Sequence, residues 1–227
     1  MGKVIVIDGP AGAGKSTVSK LLAEKLNYLY LDTGSLYRAL AYKALREKIS
    51  FRDEAAVSEL CGSTDVEMKN IGGQLVVFVD DEDVADRIRS QQVGQAASQI
   101  SAFEVVRAKL LLLQRQLGEK GDIVAEGRDM GSVVFPGANV KFYLDANLEE
   151  RAQRRHRELQ EKNAAISIDA VNREIQARDR QDSQRNIAPL KKTTDAIIID
   201  STNLTPKQVV DEMLKHISTG KESKHGR

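Results

Sequence analysis

The chain has one cysteine, Cys61, three histidines, and no apolar run near the roughly 20 residues that a membrane-spanning helix needs. A lone cysteine excludes an internal disulfide, suits a reducing compartment, and reads as a buried or chemically neutral side chain. No charge sign dominates either: 34 lysines and arginines against 33 acids leave a formal charge of +1. That balance argues against a dedicated nucleic-acid or membrane surface, although local basic patches stay open. Met1 leads straight into an apolar stretch instead of a signal peptide, so a cytoplasmic protein without membrane or nucleic-acid partners is expected. A length of 227 residues suits one substantial core with appendages better than two equal domains. Nothing in the sequence signals an oligomer, and a monomer is the default.

What is present begins at the first strand. Val4, Ile5, Val6 and Ile7 run into GPAGAGKST, comprising Gly9, Pro10, Ala11, Gly12, Ala13, Gly14, Lys15, Ser16 and Thr17. Glycine, four residues, then Gly-Lys-Ser is the spacing of a triphosphate-binding P-loop. Its glycines let backbone N–H groups curl round phosphate oxygens, and the following helix turns its positive end toward them. Lys15 is placed to reach the outer phosphates and the Ser16 hydroxyl to ligate Mg²⁺. Val18, Leu21, Leu22 and Leu26 recur at helical spacing, as expected of a helix packed on a sheet.

Further strands are predicted at Tyr28 to Leu31, Ile123 to Glu126, Val140 to Leu144 and Ile197 to Asp200, with helices at Ser35 to Arg46 and through Leu110 to Leu113. Thr205 with Gln208 forms a capping-box pattern, and Pro206 suits the first turn of the last helix. Strands alternating with helices predict an α/β P-loop core whose central five-stranded parallel sheet is covered on both faces. Ligands then bind at the carboxyl ends of the strands, where Gly9, Asp32, Arg128 and Asp145 fall. Asp32 is open between a water-mediated place on Mg²⁺ and a cap on the next helix. Residues 219–227, TGKESKHGR, read as a frayed polar tail.

Two segments break the alternation. Residues 64–88 hold Val66 and Met68, then Gly72-Gly73, then Leu75 to Val79 and an acidic turn at Asp80 to Asp83, which predicts an antiparallel hairpin inserted outside the parallel sheet. Residues 149–185 place eight arginines, from Arg151 to Arg185, on two helices joined near Asn163 to Ser167. One reading is a solvated helical pair laced with salt bridges. The other is an arginine-bearing lid that closes over phosphates and shields them from water.

With LDTGSLYRA at 31–39, QAASQISAFEVVR at 95–107, EGRDMGSVVFP at 126–136 and RDRQDSQRNIAPL at 178–190, the sequence resembles bacterial cytidylate kinases, a branch of the nucleoside monophosphate kinases. The resemblance covers essentially the whole chain apart from the tail. It implies a P-loop core at residues 1–34, 105–150 and 188–227, an acceptor-binding domain at 35–104 with the antiparallel insertion, and a lid at 151–187. It also implies a magnesium-dependent transfer of the γ-phosphoryl group from ATP to CMP or dCMP.

The resemblance assigns site residues as well. It puts Arg38 and Arg128 on the acceptor phosphate, a task that suits guanidinium forks. It takes Lys15, Arg128, Arg178 and Arg185 as the catalytic cations, with Asp182 on the ribose. The cytosine falls to Ser98, Arg107 and Asp129, with an acid for the exocyclic amine and an arginine or hydroxyl for the ring acceptors. Thr33 and Tyr37 join the acceptor site, and Arg154 the ATP side. None of His156, His216 and His225 sits near these motifs. A monophosphate explains why no acid–base dyad is visible, since its second pKa of about 6 leaves the attacking oxygen largely deprotonated. The rival readings are another small-acceptor kinase, for UMP, AMP or shikimate, and a P-loop regulatory switch without an acceptor pocket.

Overall fold

The computed structural model describes residues 2–119, 121–161 and 166–222. Five strands, β1 (Val4–Asp8), β2 (Leu29–Asp32), β6 (Ile123–Gly127), β7 (Val140–Asp145) and β8 (Ile197–Asp200), form one parallel sheet in the order β2-β6-β1-β7-β8. β1 lies between β6 and β7, pairing Asp8 with Gly127 on one side and with Tyr143 on the other. Its side chains alternate across the sheet, as a strand buried on both faces requires. Val6 joins the core beneath α2 (Thr33–Arg46), α4 (Gln91–Ile100) and α5 (Glu104–Glu119), while Ile5 and Ile7 join the core beneath α1 (Lys15–Leu26) and α8 (Pro206–Glu222).

Helix α1 presents Val18, Ser19, Leu22 and Ala23 to the core, with Leu21 and Leu26 only partly buried at its flank. The face is thus rotated from the one that hydrophobic spacing alone predicts. Small Ser19 and Ala23 let the helix lie close to the sheet, a contact that scoring by apolarity misses. The capping box on α8 is formed as expected: Gln208 Oε1 accepts from Thr205 N–H at 2.9 Å, and Thr205 Oγ1 accepts from Gln208 N–H at 3.3 Å. That helix also runs on to Glu222, so the first four tail residues continue it, and 223–227 lie outside the described residues.

Between α2 and α4 come α3 (Glu54–Ser63) and a separate antiparallel sheet of β3 (Val66–Ile71), β4 (Gln74–Val79) and β5 (Glu82–Asp83). The insertion has three strands where a two-stranded hairpin was predicted. Gly72 and Gly73, at φ 60° and 85°, make the first two-residue turn. Asp80 and Asp81, at φ 48° and 64°, make the second, so only half of the acidic tetrapeptide is turn and the rest returns as β5. Aspartate tolerates the left-handed conformation better than most side chains. Helices α6 (Leu148–Glu161) and α7 (Ile168–Gln184) pack on each other through Ala152, Leu159, Val171 and Ile175. Of the joint predicted near Asn163 to Ser167, residues 163–165 lie outside the described residues.

Candidate active site

The carboxyl ends of β1, β2 and β6 open into a cavity of about 750 Å³, walled by the P-loop, the starts of α2 and α5, and one face each of α4, α6 and α7. At its base Gly9 has no room for a side chain, because a Cβ there would sit 2.1 Å from the Leu144 carbonyl oxygen. Gly14 takes φ 87° and ends the loop without a capping side chain, leaving the first N–H groups of α1 facing the cavity. The Lys15 ammonium donates to the Pro10 carbonyl at 2.7 Å. Burial, and next the Arg128 guanidinium, lower its pKa to about 7, against the pull of Glu126.

Two carboxylates line the cavity together with Ser16. Glu126, at the end of β6, accepts from the Tyr30 hydroxyl, and burial followed by the nearby Asp32 charge push its carboxyl up. Asp32 caps α2, accepting from Ser35 N–H at 3.1 Å through Oδ1, and pairs with Arg38 at 2.6 Å through Oδ2. The cap and the ion pair are therefore the tasks the structure shows for Asp32. Among the described residues no three histidine, cysteine or acidic side chains gather to hold a metal on their own. A lone hydroxyl backed by two acids fits a hard cation that arrives with phosphate oxygens and water as its main ligands, which is how magnesium binds.

The opposite wall is a chain of alternating charges. Arg107 pairs with Asp129; Arg185 Nη2 lies 3.5 Å from Asp129 and Nη1 3.8 Å from Asp182; Arg128 Nε donates to Asp182 at 2.7 Å. Burial raises the Asp182 carboxyl, and the guanidiniums of Arg128 and Arg178 more than reverse it, so the group stays charged. Arg178, Asp182 and Arg185 follow one another at spacings of four and three, which places them on one face of α7 and its C-terminal end. Burial and the neighbouring Arg128 bring Arg178 down to about 10. Arg38 Nε, Arg178 Nε and Arg185 Nη2 are buried without a hydrogen-bond partner. Buried donors without a hydrogen bond are costly, and three of them lining one cavity suit an anion.

Every site residue assigned from the sequence lines this cavity except Gly9 and Pro10, which open the P-loop; Asp145, also expected at the strand ends, lies outside it and pairs with Lys192 at 3.0 Å. Thr33 donates to the Glu126 carbonyl at 2.6 Å, and Tyr37 lies under the Arg107 guanidinium at 5.5 Å. Arg154 gives Nε to Glu150 and Nη1 and Nη2 to Ser201, at 2.9, 3.0 and 2.6 Å. Its polar edge is committed, and its flat face is what it offers the cavity.

Three residues escape the sequence reading. Asp8 accepts from Met130 and Gly131 N–H at 2.9 and 2.8 Å, pinning the turn after Asp129 to the P-loop strand. Burial raises its pKa to about 6 against those two bonds. Asp179 accepts from Ala11 N–H at 3.1 Å and from Arg151 at 2.5 Å, tying α7 and α6 to the P-loop. Gln181 reaches Ser98. The only local signal for Asp8 is a carboxylate closing an apolar strand; Asp179 and Gln181 sit among charged neighbours that give none.

A family model described as cytidylate kinase matches residues 5–219. The chain belongs to the cytidylate kinase family. A cytidylate kinase from Geobacillus sp. (strain WCH70) is 45% identical over 214 residues, spanning 94% of this chain and 96% of its own. One from Enterobacter sp. (strain 638) is 46% identical over 213 residues, with 94% of each chain covered. A gluconokinase structure from Sinorhizobium meliloti 1021 has a TM-score of 0.53 at 14% identity, covering 98% of this chain and 95% of that one, a likeness of fold alone. Members of the cytidylate kinase family are nucleoside monophosphate kinases, so the two walls belong to a phosphotransferase. No described helix is long and apolar enough to cross a membrane.

Proposed function

We propose that the cavity transfers the γ-phosphoryl group of ATP to CMP or dCMP, with the donor on the P-loop and the acceptor on the arginine wall. The observation that carries this reading is the set of three buried guanidinium nitrogens without a hydrogen bond, on Arg38, Arg178 and Arg185, in the same cavity as Lys15. A switch that only binds and hydrolyses a triphosphate has no use for a second anion site. In this reading residues 1–34, 105–150 and 188–227 hold the donor, 35–104 the acceptor, and 151–187 close over both. One chain lines the whole cavity, so a single copy suffices.

On the donor side, backbone N–H groups from Gly12 to Ser16 cradle the phosphates, while the Ala11 N–H stays on Asp179, and Lys15 exchanges the Pro10 carbonyl for a phosphate oxygen. The Arg154 face packs against the adenine. Ser16 would hold Mg²⁺, with Asp32 and Glu126 behind it acting through water, and the ion would offset charge on the transferring group. On the acceptor side, Arg38 and Arg128 grip the monophosphate, Asp182 accepts from the sugar hydroxyls, and Arg107, Asp129 and Ser98 face the base. Arg178 and Arg185 neutralise charge between the two phosphates. The attacking phosphate oxygen is already deprotonated near neutral pH, so alignment and charge suffice and no general base is needed. An ADP-release assay over CMP, dCMP, UMP, AMP and shikimate tests the assignment. CMP and dCMP should give the highest kcat/KM; a different best acceptor overturns the base assignment, and no acceleration by any of them favours the switch.

A further inference from the structure

We infer that Gln181 fixes the direction of the Ser98 hydroxyl proton and thereby helps the pocket choose an amino-pyrimidine over a keto-pyrimidine. The inference rests on the acceptor pocket proposed above and adds a residue to it. Gln181 lies on α7, Ser98 on α4, and the two side chains meet where these helices touch. Gln181 Nε2 donates to the Ser98 carbonyl at 2.7 Å, and Ser98 Oγ lies 3.1 Å from Gln181 Oε1.

The order of these contacts leaves no freedom. A carbonyl oxygen can only accept, so the amide nitrogen of Gln181 must face it, and the amide oxygen must then face the hydroxyl. An amide oxygen is likewise only an acceptor, so the hydroxyl must donate. Flipping the amide would set oxygen against oxygen. The Ser101 hydroxyl also donates to the Ser98 carbonyl, at 2.8 Å, and occupies its second lone pair. Ser98 is only 8% exposed, so bulk water does not compete for its proton.

With its single proton spent on Gln181, the Ser98 hydroxyl shows the cavity lone pairs only. Asp129, 3% exposed on the same wall, shows carboxylate oxygens. Both groups welcome a donor. The exocyclic amine of cytosine supplies N–H groups, whereas the corresponding keto oxygen of uracil brings a third acceptor. The Ser98 hydroxyl therefore serves the amine and not the ring acceptors, which fall to Arg107. Gln181 is a positioning residue: it acts on the base through the serine.

The test measures kcat/KM for CMP and UMP with the parent enzyme, Gln181→Met, Gln181→Ala, Ser98→Ala and the Gln181→Met, Ser98→Ala double variant. Methionine keeps length and helix preference but cannot accept the proton, so the hydroxyl becomes free to donate to a keto oxygen. The CMP-to-UMP ratio should fall roughly five- to tenfold in both Gln181 variants, the worth of about one hydrogen bond, largely through improved use of UMP. Gln181→Met should change the ratio no further once Ser98 is alanine. If Gln181 merely straps two helices together, both nucleotides lose the same factor and the ratio holds, which overturns the inference. A selective parent with an unchanged variant ratio sinks the role of Gln181 alone; a parent that uses UMP as well as CMP sinks the pocket assignment and the inference together.

Discussion

Lys15 shows how a side chain chosen for a transition state is a burden to the fold that carries it. Its ammonium is buried and repelled by the Arg128 charge, with one carbonyl and the charges of Glu126 and Asp182 in its favour, and its pKa falls to about 7 from an ordinary 10.5. Between those values the unfolded chain holds a proton that the folded chain has released, so stability rises with pH across that window. Below pH 7 the folded protein bears the full cost of the buried charge. Lys15→Met removes that cost. Thermal melts should find the variant more stable than its parent, with the largest margin at and below pH 7 and a margin that shrinks as pH rises toward 10.5. Turnover should fall by roughly 10²- to 10³-fold or more, since the charge next to the transferred group is gone. A variant that melts lower than its parent at pH 6 would show that the Pro10 contact outweighs desolvation.

Elements place the site with little slack, most visibly where β1 hands over to the P-loop. A methyl group on Gly9 would meet the Leu144 carbonyl at 2.1 Å and its carbon at 3.1 Å, both atoms of the β7 backbone. Neither can retreat without opening the β1–β7 ladder that pairs Asp8 with Tyr143. Gly9→Ala should therefore cost about 3 kcal/mol of unfolding free energy, the range of backbone strain and overpacking. Urea denaturation reads this directly; a loss below about 1 kcal/mol would mean the loop re-seats cheaply. Such features were legible early because their signals are local: the P-loop spacing, the Gly72-Gly73 turn, and the Thr205–Gln208 capping box each occupy a few consecutive residues. The hidden part is long-range. Asp8, Asp179 and Gln181 find their partners 122 and 123, 168, and 83 residues away, and no periodicity announces such pairs. Ser98 and Arg107 came into view only through the family resemblance, because a serine and an arginine on separate helices carry no spacing signal. The turn of α1 toward Ser19 and Ala23 was missed for a related reason: close packing rewards small side chains as much as apolar ones.

At the scale of the molecule, helices α6 and α7 are fastened to both sides of the cavity. Toward the P-loop, Asp179 takes the Ala11 N–H while Arg151 donates to the Ala11 carbonyl at 2.9 Å; toward α4, Gln91 meets Glu174 at 2.7 Å and Ser98 meets Gln181. The hydrophobic contacts within the α6–α7 pair form a cluster of their own, separate from the two cores on the sheet. The pair can therefore loosen from the cavity without disturbing either core, and these polar ties, together with Arg154–Ser201, Arg128–Asp182 and Arg185–Asp129, set how often it does. Asp179 is the tie that touches the donor loop. Asp179→Ala removes the acceptor from Ala11 N–H and the carboxylate from Arg151, which keeps its bonds to the Ala11 and Ala146 carbonyls. Amide exchange should quicken in segments 9–14 and 168–184 while α1 and α8 stay protected. KM for ATP should rise by roughly tenfold, the worth of about one charge-assisted bond, with a smaller change in KM for CMP. Asp179→Asn keeps an oxygen for Ala11 N–H and should fall between the parent and the alanine variant. Equal quickening in α1 and α8 would mean that Asp179 stabilises the whole fold; unchanged exchange in segment 9–14 would mean that Arg151 alone holds the loop.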